Sequence, residues 1–135
     1  MPTIELTKDN FASTINDGDI VVVDFWAEWC GPCRSFAPTF EASSDRHTDV
    51  VHGKVDTEGQ QELASYFNIR SIPTLMVFRE SVLLFSQPGA LPPNSLEDLI
   101  TQIKDLDMDQ VRAEIAAQET ASAEGEDDSD VPQPL

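Results

Sequence analysis

A run of seven residues, IVVVDFW at positions 20–26, is apolar throughout except for a single acid, Asp24. A strand that is covered on both faces has this near-continuous apolar pattern, whereas a half-exposed strand alternates apolar and polar residues. The run therefore predicts a central strand in a sheet that carries helices on both faces.

The rest of the hydrophobic pattern predicts four further strands and four helices. The order is strand, helix, strand, helix, strand, helix, two strands, helix, which predicts an α/β fold with a mixed sheet. Thr7 or Asp9 is the expected cap of the first helix, and Asn94 or Ser95 that of the last. The strands are predicted at 3–6, 20–26, 50–56, 74–79 and 82–87, and the helices at 33–46, at 60–68, around Phe11 and Ile15, and around Leu96, Leu99, Ile100 and Ile103.

Beyond Lys104 the pattern changes. Met108, Val111 and Ile115 keep helical spacing behind a capping Asp107, so an additional helix is predicted within residues 105–118. The acidic segment at 119–135 has almost nothing to bury and is predicted to be a disordered C-terminal extension. A solubilising role for this tail is favoured over a docking role. Residues 1–104 are then the folded domain.

The chain is strongly acidic, with 25 acidic and 8 basic residues and a net charge of −17. Residues 105–135 hold ten acids and one base, a net charge of −9, which leaves −8 for residues 1–104. Such a chain repels nucleic acid and anionic membranes. No run is long enough to span a membrane, and the first residues lack a secretory signal, so we expect a cytoplasmic protein. Stable structural disulfides are rare in that compartment.

The only two cysteines, Cys30 and Cys33, lie in the segment FWAEWCGPCR (25–34). A structural disulfide, half of a metal site and a dithiol that cycles are the competing interpretations. With His47 and His52 the cysteines satisfy the spacing of a Cys2His2 zinc site. However, a helix that starts at the cysteines rises about 1.5 Å per residue and carries His47 roughly 20 Å away, too far to share one ion. We therefore expect no metal, and two histidines at the surface or at a helix end.

The Cys-Gly-Pro-Cys sequence at a strand-to-helix junction favours the cycling dithiol. Cys30 is expected at the helix N-terminus, where free N–H groups and the helix dipole favour a thiolate, and Cys33 one turn inside, within disulfide distance. Cys30 is then the attacking thiolate and Cys33 the resolving thiol. Pro32 suits the first helical turn, and Gly31 leaves room beside the sulfur for a substrate backbone.

Asp24 interrupts the apolar strand six residues before Cys30. If it is buried, desolvation raises its pKa, which suits it to take the proton of Cys33 near neutral pH. Lys54, near the end of the neighbouring predicted strand, is its candidate charge partner. The alternative is an acid at a strand end whose carboxylate reaches solvent.

Longer stretches of the chain resemble the thioredoxin family. VDFWAEWCGPCR (23–34) is similar to its active-site segment, and KVDTE (54–58), IRSIPTLMVF (69–78) and GAL (89–91) follow at the family's spacing. The resemblance covers about residues 3–104. It implies the thioredoxin fold, a central mixed five-stranded sheet flanked by about four helices.

The resemblance also implies a function. It implies a monomeric protein-disulfide reductase that acts by thiol–disulfide exchange through the Cys30/Cys33 dithiol, with a mixed-disulfide intermediate on Cys30. No cofactor is expected to bind; the Cys30–Cys33 disulfide itself is the redox-active group. The implied partners are disulfide-containing client proteins and, as electron donor, an NADPH-dependent thioredoxin reductase.

Site residues follow from the same motif positions. Cys30 matches the nucleophile, Cys33 the resolving cysteine, Asp24 the buried acid and Lys54 its neighbouring lysine. Pro73 matches a proline that is cis in this family, although the residues alone favour trans, since only about 5–6% of X–Pro bonds in folded proteins are cis. The implied substrate groove is formed by Trp29, Gly31, Pro32, Ile72, Pro73, Gly89 and Ala90, with Thr57 on its rim.

Three features depart from the family pattern. The turn at Arg79-Glu80-Ser81 has no glycine, which leaves its type open. Thr57 replaces an apolar rim residue, and the acidic extension is an addition. Two other functions remain as alternatives: a disulfide isomerase or oxidant of the same fold, against which the Gly-Pro dipeptide argues, and a non-catalytic binding scaffold whose acidic tail recruits a partner.

Overall fold

The apolar run at Ile20–Trp26 forms the central strand of a five-stranded sheet, as its pattern predicts. The computed structural model describes residues 3–124. The chain divides into a first compact unit that ends at Lys104 and a second that begins at Asp105. In chain order the elements are β1 (Ile4–Glu5), α1 (Phe11–Asp17), β2 (Ile20–Trp26), α2 (Gly31–Arg46), β3 (Val51–Asp56), α3 (Gln61–Tyr66), β4 (Thr74–Arg79), β5 (Val82–Pro88), α4 (Pro93–Asp105) and α5 (Met108–Glu124).

The sheet is mixed, with the strand order β1-β3-β2-β4-β5. β3 pairs parallel with both β1 and β2, whereas β4 pairs antiparallel with β2 and β5. Every residue of β2 except Trp26 is buried. The predicted fold class, a mixed five-stranded sheet with helices on both faces, is confirmed.

The two faces of the sheet carry separate apolar clusters. Because side chains alternate along a strand, Ile20 and Val22 point to one face of β2 and Val21 and Val23 to the other. The first face packs against α2 and α4 through Phe36, Phe40, Leu96, Ile100 and Ile103. The second packs against α1 and α3 through Phe11, Ile15, Leu63 and Phe67. The same alternation puts Asp24 on the face that α2 covers.

The predicted starts of three helices are wrong by one to three residues. The residue before α1 is Asn10, not Thr7 or Asp9, and its side-chain oxygen accepts from the Thr7 N–H, 2.7 Å away, rather than from the helix. α2 begins at Gly31 instead of 33. α4 begins at Pro93, which has no N–H to leave unpaired in a first turn, so Asn94 and Ser95 lie inside the helix and do not cap it.

The second unit contains α5, which begins as predicted. The Asp107 carboxylate accepts from the N–H groups of Asp109 and Gln110, at 3.1 and 3.3 Å. However, the helix continues to Glu124 instead of ending at 118, so residues 119–124 are helical rather than disordered. Alanine-rich sequence with strong helix propensity carries the helix further than its apolar spacing indicates. The rest of the predicted disordered tail, residues 125–135, lies outside the described residues.

Both histidines have partners within the fold. His47 ends α2, and its Nε2 lies 3.0 Å from Glu97 Oε1 on α4. His52 is buried rather than at the surface as predicted, because it lies on β3 beneath α2, with Ser43 Oγ 2.8 Å from its Nε2. Within residues 3–124 there is no group of three or more His, Cys, Asp or Glu side chains that could hold a metal ion. None of the helices in the described part of the chain has the length and apolar character needed to cross a bilayer.

The turn between β4 and β5 has two residues, Glu80 and Ser81, because Arg79 pairs directly with Val82. Both turn residues have positive φ, 51° and 68°. A two-residue hairpin loop with two positive φ angles is a type I′ turn, which normally contains Asn or Gly. This settles the turn type that the sequence left open, and it shows that two ordinary L residues occupy left-handed positions.

We predict that Ser81→Gly raises the free energy of unfolding by about 0.5–1 kcal/mol, since glycine removes the steric cost of positive φ. Ser13→Gly is the matched control: each serine donates one side-chain hydrogen bond, to Asn16 and to Asn10, but Ser13 lies inside α1. Glycine inside a helix should cost up to about 1 kcal/mol, so the two substitutions should change urea midpoints in opposite directions. Equal destabilisation by both would contradict the assigned turn.

Candidate active site

The two cysteines form a disulfide at the point where the central strand passes into α2. Cys30 is the N-cap residue of α2, and its sulfur accepts from the Cys33 N–H at 3.2 Å. Pro32 occupies the first turn, where its missing N–H leaves no hydrogen bond unmade. The helix therefore begins by directing a free backbone N–H at the sulfur of Cys30.

This geometry favours negative charge on Cys30 once the disulfide is reduced. The first N–H groups of a helix lack intrahelical acceptors, and together with the helix dipole they stabilise an anion. Cys33 lies one turn inside the same helix, with its Cα 5.2 Å from that of Cys30. The two sulfurs can thus exchange a disulfide bond without rearrangement of the backbone.

In this oxidised form neither cysteine is more accessible than the other. Cys30 is 4% exposed and Cys33 is 3% exposed, because both pack against Ala27 and the partly buried Trp26 and Ile72. Both cysteines are therefore almost fully covered in the disulfide state. Space opens beside Gly31 instead, where a Cβ atom would meet nothing within 4 Å.

Asp24 is buried in β2, with 1% of its surface exposed. Neither of its carboxylate oxygens has a hydrogen-bond partner among the described residues. Burial raises the pKa of Asp24 to about 7, and the positive charge of Lys54 opposes part of that rise. Lys54 is its register partner on β3, and the Lys54 ammonium lies 4.8 Å from the centre of the Trp26 ring. The interpretation of Asp24 as a solvated strand-end acid is wrong.

The loop before β4 approaches the disulfide from the other side. The Ile72–Pro73 peptide bond is cis, as the resemblance implies. The Ile72 carbonyl oxygen lies 3.6 Å from Cys30 Sγ, and the Pro73 carbonyl accepts from the Gly89 N–H at 2.7 Å. Gly89 has φ of 104°, which favours glycine at this position.

Trp29, Thr57 and Ile72 line one small cavity of about 180 Å³ beside this loop. Trp29 is 66% exposed, and its indole N–H donates to Glu58 at 3.1 Å. Gly89 and Ala90 are exposed and do not line the cavity. Glu58 and Arg70, which also lines the cavity, are residues that sequence reasoning missed. Both lie in the segments KVDTE and IRSIPTLMVF, but nothing in those patterns pointed to their side chains.

A Cys-Gly-Pro-Cys disulfide that caps a helix, beside a cis-proline loop and after a strand with a buried acid of near-neutral pKa, defines a thiol–disulfide oxidoreductase. Comparison with known proteins gives the same class. The thioredoxin family model matches residues 2–104.

Relatives and solved structures extend the match. A Streptomyces coelicolor protein provisionally named thioredoxin 2 is 56% identical over 117 residues, 87% of each chain. Thioredoxin C-3 of Corynebacterium nephridii is 40% identical over 100 residues, 73% of this chain and 69% of its own. The structure of a mutant thioredoxin from Halobacterium salinarum superimposes with a TM-score of 0.72 at 31% identity, covering 78% of this chain and 93% of that one.

The chain belongs to the thioredoxin family. It is a protein-disulfide reductase that exchanges thiols and disulfides through the Cys30–Cys33 pair, and its clients are disulfide-containing proteins.

Asp24→Asn should stabilise the oxidised protein at pH 8 by up to about 4 kcal/mol and change its stability little at pH 4. An acid whose pKa is higher in the folded state binds more protons when folded, so its contribution to stability is lost as the pH rises from about 4 through about 7. The difference between variant and wild type, from urea unfolding across pH 4–8, isolates this group from all others.

Asp17→Asn is the matched control, because it makes the same change of side chain at an exposed position at the end of α1. A flat difference for Asp24→Asn would mean that the buried carboxyl does not titrate near neutral pH.

Proposed function

We propose that the Cys30 thiolate attacks one sulfur of a client disulfide and forms a mixed disulfide with it, releasing the other client sulfur as a thiolate. The Cys33 thiol then loses its proton and attacks Cys30. This step closes the Cys30–Cys33 disulfide and releases the second client thiolate. Two electrons pass from the dithiol to the client, and the dithiol becomes oxidised. The observation that carries this order is the Cys33 N–H held 3.2 Å from the Sγ of Cys30, the N-cap residue of α2.

In the second step, Asp24 accepts the proton that the Cys33 thiol loses. Its pKa of about 7 lets it accept a proton near neutral pH, and since neither oxygen has a hydrogen-bond partner within residues 3–124, both are available. It faces the side of the sheet that α2 covers, which is the helix that carries Cys33. Lys54 keeps that pKa from rising further, because its positive charge favours the ionised carboxylate.

The client chain lies across the surface beside Gly31 and the cis-proline loop. The open space at Gly31 admits a client backbone next to Cys30 and Pro32. The backbone next to Pro73 pairs with an extended client segment, as in strand addition. The exposed residues Trp29, Gly89 and Ala90 and the half-buried Thr57 and Ile72 contact its side chains.

The protein works as a monomer whose dithiol is regenerated by an NADPH-dependent thioredoxin reductase in the cytoplasm. The family membership and the Cys-Gly-Pro-Cys sequence support this assignment, because that dipeptide belongs to the reducing members of the family.

Cys33→Ser should stall the reaction at the mixed disulfide, because serine cannot displace the client from Cys30. Incubated with insulin, the variant should form a covalent adduct that dithiothreitol releases, and mass spectrometry should locate the bond at Cys30. Cys30→Ser should show neither adduct nor turnover with a thioredoxin reductase and NADPH. An adduct on Cys33 in the Cys30→Ser variant, formed at a comparable rate, would reverse the assigned roles.

A further inference from the structure

Most basic side chains of this acidic protein are matched by a carboxylate. Six of the eight have one within the described residues, and two, Arg34 and Arg70, do not. Five of the six matched side chains form ion pairs, and the sixth, Lys54, is attracted to Asp24 over a longer distance. The ion pairs are Lys8–Glu62, Arg46–Glu97, Arg79–Asp19, Lys104–Asp49 and Arg112–Asp109.

Both unmatched arginines belong to the segments that border the disulfide. Arg34 directly follows Cys33, and its guanidinium donates to the Glu28 carbonyl at 2.9 Å. Arg70 precedes Ile72 by two residues, is exposed, and has no hydrogen-bond or ion-pair partner in residues 3–124. The net charge of the chain is −17, yet Arg70, an arginine without a partner among the described residues, lies two residues before the Ile72 carbonyl that contacts Cys30.

Arg70 also separates two small cavities on this surface. It lines the cavity of about 180 Å³ that Trp29, Thr57 and Ile72 share. It equally lines a second cavity of about 220 Å³ bounded by Thr74 and Pro88. A client side chain that enters either cavity therefore meets Arg70.

The backbone that carries Arg70 is fixed at both ends. Just after α3, Asn68 has a φ of 57°. The Asn68 N–H donates to the Ser65 carbonyl at 3.0 Å, and the Ile69 N–H donates to the Ala64 carbonyl at 2.9 Å. These are the two bonds of a Schellman motif, which sets the direction in which the chain leaves the helix. After Arg70, the Thr74 hydroxyl donates to the Ser71 carbonyl at 2.6 Å. Only the arginine side chain is left to adapt to a ligand.

We propose that Arg70 is a specificity-determining residue, and that it selects client disulfides with a carboxylate side chain close to the attacked cysteine. A guanidinium stays charged at all working pH values and binds a carboxylate through two parallel N–H donors. At physiological salt, repulsion from acids farther than about 8 Å is screened. The nearby Glu58 carboxylate accepts from the Trp29 indole N–H, so Arg70 is the charged residue that a client carboxylate meets in the two cavities. The proposal rests on the proposed attack by Cys30 at this surface.

The test uses disulfide-linked peptide dimers in which one residue next to the cysteine, either before or after it, is varied. At each of these two positions, a peptide with Glu is compared with an otherwise identical peptide with Gln. We expect kcat/KM to be about two- to fivefold higher for Glu than for Gln in at least one position, the size of an exposed ion pair, and the change to be in KM. Arg70→Gln should abolish this preference, Arg70→Lys should keep part of it, and added salt should weaken it.

Arg46→Gln is the matched control. It removes the same charge, but Arg46 ends α2 about 20 Å from the cysteines and is bound to Glu97. It should leave the preference intact. Equal kcat/KM for Glu and Gln peptides at all positions would overturn the proposal. Equal losses in Arg70→Gln and Arg46→Gln, or a loss only in Arg34→Gln, would overturn it as well. Failure of the wild type to reduce any of the peptides would instead contradict the proposed function.

Discussion

The structure depends on the joint between β2 and α2, where a buried strand ends and a helix begins within five residues. β2 is hydrogen-bonded to strands on both sides and is covered on both faces, so its end cannot shift. The Cys30 N–H donates to Ala27 at 3.2 Å, which turns the chain into α2. The free N–H groups of α2 are thereby held against the sulfur of Cys30, and the charge preference of the pair follows from that position.

The buried carboxyl of Asp24, which serves the proposed proton transfer, lowers the stability of the fold when it is ionised. The Asp24 carboxyl is buried in the central strand without a hydrogen-bond partner in the described part of the chain, so its ionised form costs free energy. The fold tolerates that cost because two apolar clusters, one on each face, hold the sheet together. The buried acid is thus held between two packed faces of the sheet, whereas Trp29 and Arg70, the residues proposed to contact a client, are exposed.

Sequence patterns predicted the features that depend on strong local signals. The apolar run predicted the bounds of β2, and the cysteine spacing predicted the disulfide. The starts of α1 and α4 were predicted wrongly because several neighbouring residues have similar capping propensity, and tertiary contacts decide among them. The Trp29–Glu58 bond joins residues 29 positions apart, and the isolation of Arg70 is an absence of partners among the described residues. Neither feature could be predicted from a local sequence pattern.

The most direct measurement of the central claim is the pH dependence of alkylation of the reduced protein by iodoacetamide, with each cysteine followed separately by mass spectrometry. The account predicts that Cys30 reacts first and that its rate follows a thiolate that forms well below the ordinary thiol pKa of about 8.5. Two cysteines that react at similar rates, both rising only near that ordinary value, would contradict it.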